Sequence, residues 1–123
     1  MTTEQKKGYG ILLIEDYECL GDTRKEFLEK QGHSVLLYYD GSNVLDDLRK
    51  IGIVYSIAVV DRQLGEISGD EVIRALKQEY PERPIICASA SPFGVGYTDA
   101  TISKPFTIPE LDRLIRQLMS RKL

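Results

Sequence analysis

Five polar side chains stand directly after short apolar segments, and their combination suits metal and phosphate chemistry. They are two adjacent acids, an aspartate, a serine and a lysine: Glu15, Asp16, Asp61, Ser89 and Lys104. If the apolar segments are parallel strands of one sheet, their carboxyl ends meet at one edge, where ligands bind in open α/β sheets. The sequence therefore predicts three carboxylates, one hydroxyl and one ammonium at a single site.

Three carboxylates at one site repel one another unless a cation lies between them. Magnesium fits, because it takes oxygen ligands, keeps several waters and is usually held by one or two carboxylates plus phosphate oxygens. Lys104 offers a compact positive charge that suits phosphate. Cation and lysine together can neutralise a transferring phosphoryl group, with Asp61 as the nucleophile that forms an aspartyl phosphate.

The elements that position these residues alternate along the chain. Apolar runs predict five strands, at residues 9–14, 34–39, 57–60, 84–88 and 100–103. The first helical segment carries Leu20, Phe27 and Leu28 on one face, and Arg24 is assigned to another face. The remaining helices begin at good capping residues: Asp40, Ser68 and Thr107. Strands alternating with helices predict a doubly wound α/β domain around a parallel sheet.

The composition is that of one ordinary globular domain. The chain has 123 residues, 42% hydrophobic and 28% charged, with a net charge of −3 and both signs interspersed. These values predict one domain over 1–123, with a core at about 9–120, and disfavour a nucleic-acid or membrane surface. No apolar run reaches membrane-spanning length, and the polar N-terminus lacks the apolar stretch of a signal peptide. We therefore expect a cytoplasmic protein.

Three further side chains are of types that can take part in chemistry, but we interpret them as structural. Cys19 and Cys87 lie far apart in apolar patterns and are predicted to be reduced core residues. His33 follows Gly32 at the start of a strand and is predicted to be a surface residue rather than a phosphate donor.

The motifs resemble the receiver domain of bacterial response regulators, the CheY-like family. The resemblance extends from Ile11 to Leu118 and rests on four elements in order. They are the acidic pair after the first strand, the acceptor in Val60-Asp61-Arg62 followed by Gly69, the small pair Ser89-Ala90, and Lys104-Pro105-Phe106. This family implies a flavodoxin-like, doubly wound, five-stranded parallel sheet and a phosphoacceptor role in a two-component system.

The resemblance also implies a role for each site residue. Asp61 would be the phosphoacceptor, with Lys104 and the Ser89 hydroxyl on the phosphoryl oxygens. Asp16, Asp61 and the backbone carbonyl of Gln63 would bind Mg²⁺, and Glu15 would act through metal-bound water. The Lys104–Pro105 peptide bond would be cis.

The sequence departs from the family pattern at three places. Thr101 occupies the switch position that usually holds a tyrosine or phenylalanine, so Ser89 and Thr101 would form an unusual switch pair. Gly65 stands where proline is common, which predicts a looser loop. The interval from Ser89 to Lys104 is short and contains one proline and two glycines. We therefore predict that the helix usually found there is missing or reduced to about one turn, with a monomer or an atypical dimer as the consequence.

Two other functions remain open at this point. The domain could be a degenerate receiver that serves as a constitutive protein-docking module. A phosphatase with an aspartyl nucleophile would need a second aspartate two residues after the first, and that position is Gln63. We therefore expect no enzymatic activity other than self-phosphorylation and self-dephosphorylation. The expected partners are a histidine kinase or phosphotransfer protein and a downstream protein target, with no direct contact with nucleic acid and no membrane insertion.

Overall fold

Five parallel strands form one sheet in the computed structural model, which describes residues 8–91 and 98–121. The strands are β1 (Gly10–Ile14), β2 (Ser34–Tyr38), β3 (Ile57–Asp61), β4 (Ile85–Ser89) and β5 (Ala100–Ser103). Their spatial order is β2-β1-β3-β4-β5. The described helices are α1 (Glu18–Lys30), α2 (Gly41–Lys50), α3 (Gly69–Glu79) and α4 (Ile108–Ser120). The predicted doubly wound α/β architecture is confirmed.

Side-chain caps fix where three of the helices begin. Asp40, Ser68 and Thr107 each accept a hydrogen bond from the backbone N–H three residues later. Such a bond satisfies one of the N–H groups that a helix start leaves without an intrahelical partner. These caps confirm the helix starts that the sequence predicted.

Alternate residues of the central strands pack into two apolar layers, one on each face of the sheet. Leu12 and Ile14 of β1 face α2 and α3, where they meet Val44 and Leu76. Ile11 and Leu13 face α1 and α4 instead, in a layer that includes Leu28, Leu111, Ile115 and Leu118. Because β1, β3 and β4 are covered on both faces, they are almost continuously apolar in sequence.

Three of the structural interpretations are wrong. Cys19 is exposed, although Cys87 is buried as predicted. His33 is buried rather than on the surface, and its Nε2 lies 2.6 Å from Oδ1 of Asp112 on α4. Arg24 is also buried. It stands four residues after Leu20 and four before Leu28, so it shares their helical face.

The predicted loss of a helix between Ser89 and Ala100 falls mainly on residues 92–97, which lie outside the described residues. In the described ranges, no helix is long and apolar enough to cross a membrane.

Candidate functional site

Asp61 ends β3 in a nearly closed environment, with 3% of its surface exposed. Its Oδ2 atom accepts a hydrogen bond from Nζ of Lys104 at 2.7 Å. Its Oδ1 atom accepts one from the backbone N–H of Gln63 at 2.9 Å. The two bonds leave the carboxylate in one orientation, so the structure brings Asp61 and Lys104 together as the sequence predicted.

Glycine is required where α3 begins, directly beside Asp61. A Cβ atom added to Gly69 would lie 2.2 Å from the carbonyl oxygen of Asp61 and 2.6 Å from Cα of Arg62. The backbones can therefore approach closely only without a side chain, and the N–H of Gly69 donates to the carbonyl of Arg62 at 2.9 Å. This contact packs the start of α3 against the loop that holds the acceptor.

The loop between Asp61 and α3 contains a second constrained glycine. Gly65 has a φ of +79°, in the left-handed region that glycine adopts readily. Proline, with φ fixed near −65°, cannot adopt this conformation. A proline at this position would therefore require a different backbone turn.

The acidic pair follows β1, the strand that lies next to β3. Glu15 is buried and Asp16 is exposed. One carboxylate oxygen from each of Glu15, Asp16 and Asp61 lies within 4.8 Å of the others. The strand order reverses direction at β1, and the crevice beside such a switch point is the usual ligand site of an open α/β sheet.

Burial and their mutual interaction separate the pKa values of Glu15 and Asp61. Burial, and then the neighbouring Asp61 carboxylate, raise the pKa of Glu15 to about 7. Burial alone would also raise the pKa of Asp61. Interactions with Glu15, Lys104 and the Gln63 amide outweigh that effect, so the pKa of Asp61 is lowered. Asp61 is therefore the acid that keeps its negative charge.

The donor chemistry of the acidic pocket fits a small hard cation. Carboxylate oxygens are the ligands such ions prefer. The Oε2 atom of Glu15 is buried, and no N–H or hydroxyl group among the described residues donates to it. A buried polar atom without a partner is costly, and a water on a hydrated cation would satisfy it. Glu15, Asp16 and Asp61 are thus the residues that could hold a metal ion.

Ser89 ends β4 beside the acceptor and is also buried. Its Oγ atom accepts a hydrogen bond from the N–H of Ser91 at 3.0 Å. A cavity of about 380 Å³ opens at this point, lined by Arg62, Gln63, Ser68, Asp70, Ser89 and Ser91. The cavity thus lies against the residues that follow Asp61 in the chain and against the buried Ser89.

The segment after β5 carries the lysine. The N–H of Lys104 donates to the carbonyl of Ser89 at 2.9 Å, and the Lys104–Pro105 peptide bond is cis, as predicted. Thr101, the other predicted switch residue, is exposed on β5 and lies opposite Cys87. The register partner of Ser89 is Ser103 instead.

Arg24 is the site residue that sequence reasoning missed. Its Nη1 atom lies 3.2 Å from Oε1 of Glu15. Its guanidinium carbon lies 4.5 Å from the ring centroid of Phe106. The spacing from Leu20 to Leu28 was the available signal, because it places Arg24 on the buried face of α1. The identity of its acidic partner depends on how α1 packs on the sheet, which spacing alone does not give.

A parallel α/β domain with an aspartate, a lysine and an acidic pocket at its switch point has the form of a phosphoacceptor domain. A family model for the response regulator receiver domain matches residues 11–116. The chain therefore belongs to the response regulator receiver domain family.

Curated relatives agree with this assignment. The uncharacterized transcriptional regulatory protein YkoG of Bacillus subtilis is 33% identical over 119 residues, with 90% of this chain and 50% of YkoG covered. The transcriptional regulatory protein CreB of Escherichia coli is 30% identical over 118 residues, with 90% and 51% covered. The chain thus spans about half the length of the curated relatives it matches.

Solved structures share the fold. A receiver domain of a Francisella response regulator superposes with a TM-score of 0.80 at 21% identity, covering 96% of this chain and all of that one (100%). The response regulator TrrA of Thermotoga maritima, solved with Mg²⁺ and a beryllium fluoride, superposes with a TM-score of 0.77 at 22% identity. The match covers 92% of this chain and 99% of TrrA. The predicted flavodoxin-like receiver fold is confirmed.

Proposed function

We propose that Asp61 accepts a phosphoryl group from a histidine kinase or phosphotransfer protein, with Mg²⁺ in the acidic pocket, and that the modified domain switches a protein partner. The bond of 2.7 Å between Asp61 and Lys104, beside the acids of β1, is the observation that carries this proposal. It places a nucleophilic carboxylate against a cation that suits phosphate.

The proposed transfer assigns a task to each site residue. An Asp61 oxygen forms the new P–O bond as the P–N bond of the donor's phosphohistidine breaks. Lys104 and the Ser89 hydroxyl contact the phosphoryl oxygens and stabilise their charge. Asp16, Asp61 and the carbonyl of Gln63 would hold Mg²⁺, and Glu15 would interact with the ion through water. Bound there, the ion neutralises charge on the transferring group.

The domain changes its own state and turns over no metabolite in this proposal. YkoG and CreB are transcriptional regulators about twice as long as this chain. The output of this protein is accordingly proposed to pass through a protein partner or a further domain, without direct contact between this domain and nucleic acid. A cytoplasmic location stays a prediction from the sequence.

Intact mass measurement tests the acceptor. The folded protein is incubated with phosphoramidate and Mg²⁺, and one added phosphoryl group is expected. Asp61→Asn should abolish the added mass. Asp70→Asn is the matched control, because Asp70 lines the adjoining cavity and its role is an ion pair with Arg62 at 3.2 Å. Label that persists in Asp61→Asn would overturn the assignment, and wild-type protein that takes no label would favour the docking module.

A further inference from the structure

Arg24 lies behind the acidic pocket with only 6% of its surface exposed. One contact of 3.2 Å joins it to Glu15, and its buried Nε atom has no hydrogen-bond partner within residues 8–91 and 98–121. Removing two ions from water is costly, and an imperfectly bonded buried pair is weak evidence for stabilisation. Stability alone is therefore a poor explanation for a buried arginine at this position.

The same guanidinium also contacts the segment that carries the lysine. It stacks over Phe106, with 4.5 Å between the guanidinium carbon and the ring centroid. Phe106 is two residues after Lys104, whose Nζ atom is bonded to Asp61. Arg24 thus touches both sides of the site, Glu15 after β1 and the segment after β5.

The contact with Glu15 has a directional consequence. Arg24 bonds to Oε1, whereas no N–H or hydroxyl group in the described part of the chain donates to Oε2. A contact that holds one oxygen of a carboxylate restricts the directions in which the other oxygen can point. The orientation of the Glu15 carboxylate within the acidic pocket therefore depends on Arg24.

We propose that Arg24 is a positioning residue for phosphoryl transfer: it fixes the carboxylate of Glu15 and, by stacking on Phe106, the segment that presents Lys104 to Asp61. This inference rests on the proposed function. Charge-bearing groups around a transferring phosphoryl act through their placement, so displacements of less than an ångström slow the reaction.

Labelling rates at saturating Mg²⁺ test the proposal. The Mg²⁺ concentration for each variant is set far above its own Kd, which is fitted to the dependence of its melting temperature on Mg²⁺, so that metal affinity and rate are separated. Arg24→Met is expected to slow labelling of Asp61 about 10-fold, since it removes both contacts. Phe106→Leu is expected to slow it as well, although it leaves the ion pair in place. Phe106→Tyr keeps the ring face and should retain a rate near wild type.

The double variant Arg24→Met with Phe106→Leu shows whether the two residues act together. Because both substitutions break the same link, the double variant should be no slower than the slower single variant. Arg116→Met is the matched control, since Arg116 pairs with the buried Asp112 at 3.3 Å and lies on α4. It is expected to lose stability and keep its labelling rate.

A second measurement needs no phosphodonor and no metal. In the Mg²⁺-free protein, Phe106→Leu should shift the backbone amide NMR signal of Glu15, because Arg24 connects the two side chains. Phe106→Tyr should leave that signal nearly unchanged. A direct effect of the ring on the Glu15 amide would persist in the Arg24→Met background, whereas a link through Arg24 predicts that Phe106→Leu no longer shifts the Glu15 signal there.

The outcomes separate this inference from the proposed function. If wild-type protein is labelled and both Arg24→Met and Phe106→Leu react at the wild-type rate while melting at lower temperature, Arg24 is structural only and the inference is wrong. If Arg24→Met does not fold, the two Phe106 variants decide. If folded wild-type protein takes no label, the proposed function fails, and the amide measurement decides whether the link through Arg24 exists.

Discussion

At the scale of single residues, the charged form of Glu15 is destabilised in the metal-free protein. Its pKa is raised from 4.5 to about 7, first by burial and then by Asp61. The folded state therefore holds this proton more tightly than the unfolded chain does. The contribution to stability is complete below the ordinary pKa of 4.5 and is lost as the pH rises through about 7.

Glu15→Gln mimics the protonated acid and keeps an acceptor for Arg24. The difference in free energy of unfolding without Mg²⁺, Glu15→Gln minus wild type, should become more positive as the pH rises. From about pH 4.5 to about pH 8 this difference should grow by up to about 3 kcal/mol. Urea unfolding at several pH values measures this difference. For Glu18→Gln, at an exposed position on α1, the free energy of unfolding should change with pH in the same way as for wild type. The same pH dependence in Glu15→Gln would contradict the raised pKa.

At the scale of elements, the start of α3 determines how the acceptor loop packs. Gly69→Ala would place a methyl carbon 2.2 Å from the Asp61 carbonyl oxygen, and backbone atoms cannot move aside cheaply. We expect a loss of about 1–3 kcal/mol in stability and slower labelling of Asp61, because α3 must shift away from the loop. Gly10→Ala is the control, since its nearest neighbour would lie at an ordinary 3.7 Å. Unchanged stability and labelling in Gly69→Ala would refute this account.

The elements are also where sequence reasoning succeeded and where it stopped. Continuous apolar runs and capping residues predicted the strands and three helix starts, because both signals are local. Strand ends predicted the site, because parallel strands deliver their carboxyl ends to one edge. Two contacts were missed, Arg24 with Glu15 and His33 with Asp112. Each joins a helix residue to a residue beside a strand end, Glu15 after β1 and His33 before β2, and periodicity carries no information about such a partner. The predicted loss of a helix between Ser89 and Ala100 stays a prediction, because residues 92–97 lie outside the described residues.

At the scale of the whole molecule, the sheet separates two apolar layers, one on each face. The polar site lies at the carboxyl-terminal edge of the sheet, next to both layers. α1 and α4 cover one face, and α2 and α3 cover the other. The acidic pocket sits between β1 and β3, where side chains of α1, the acceptor loop and the segment after β5 converge. A ligand at this edge therefore touches elements whose relative positions define the fold.

Magnesium should for this reason stabilise the entire domain. An ion that binds the folded state alone raises stability by RT ln(1 + [L]/Kd), so the melting temperature should climb steadily with Mg²⁺ concentration. Asp16→Asn removes one proposed ligand charge from an exposed position and should largely abolish this dependence. Glu18→Gln, exposed two residues further on, removes an equal charge and should keep it. Because the two variants have the same net charge, a general electrostatic effect of the salt would act on them alike. Equal Mg²⁺ dependence in the two variants would therefore show that Asp16 does not hold the ion, whereas a loss confined to Asp16→Asn would place the ion at the pocket.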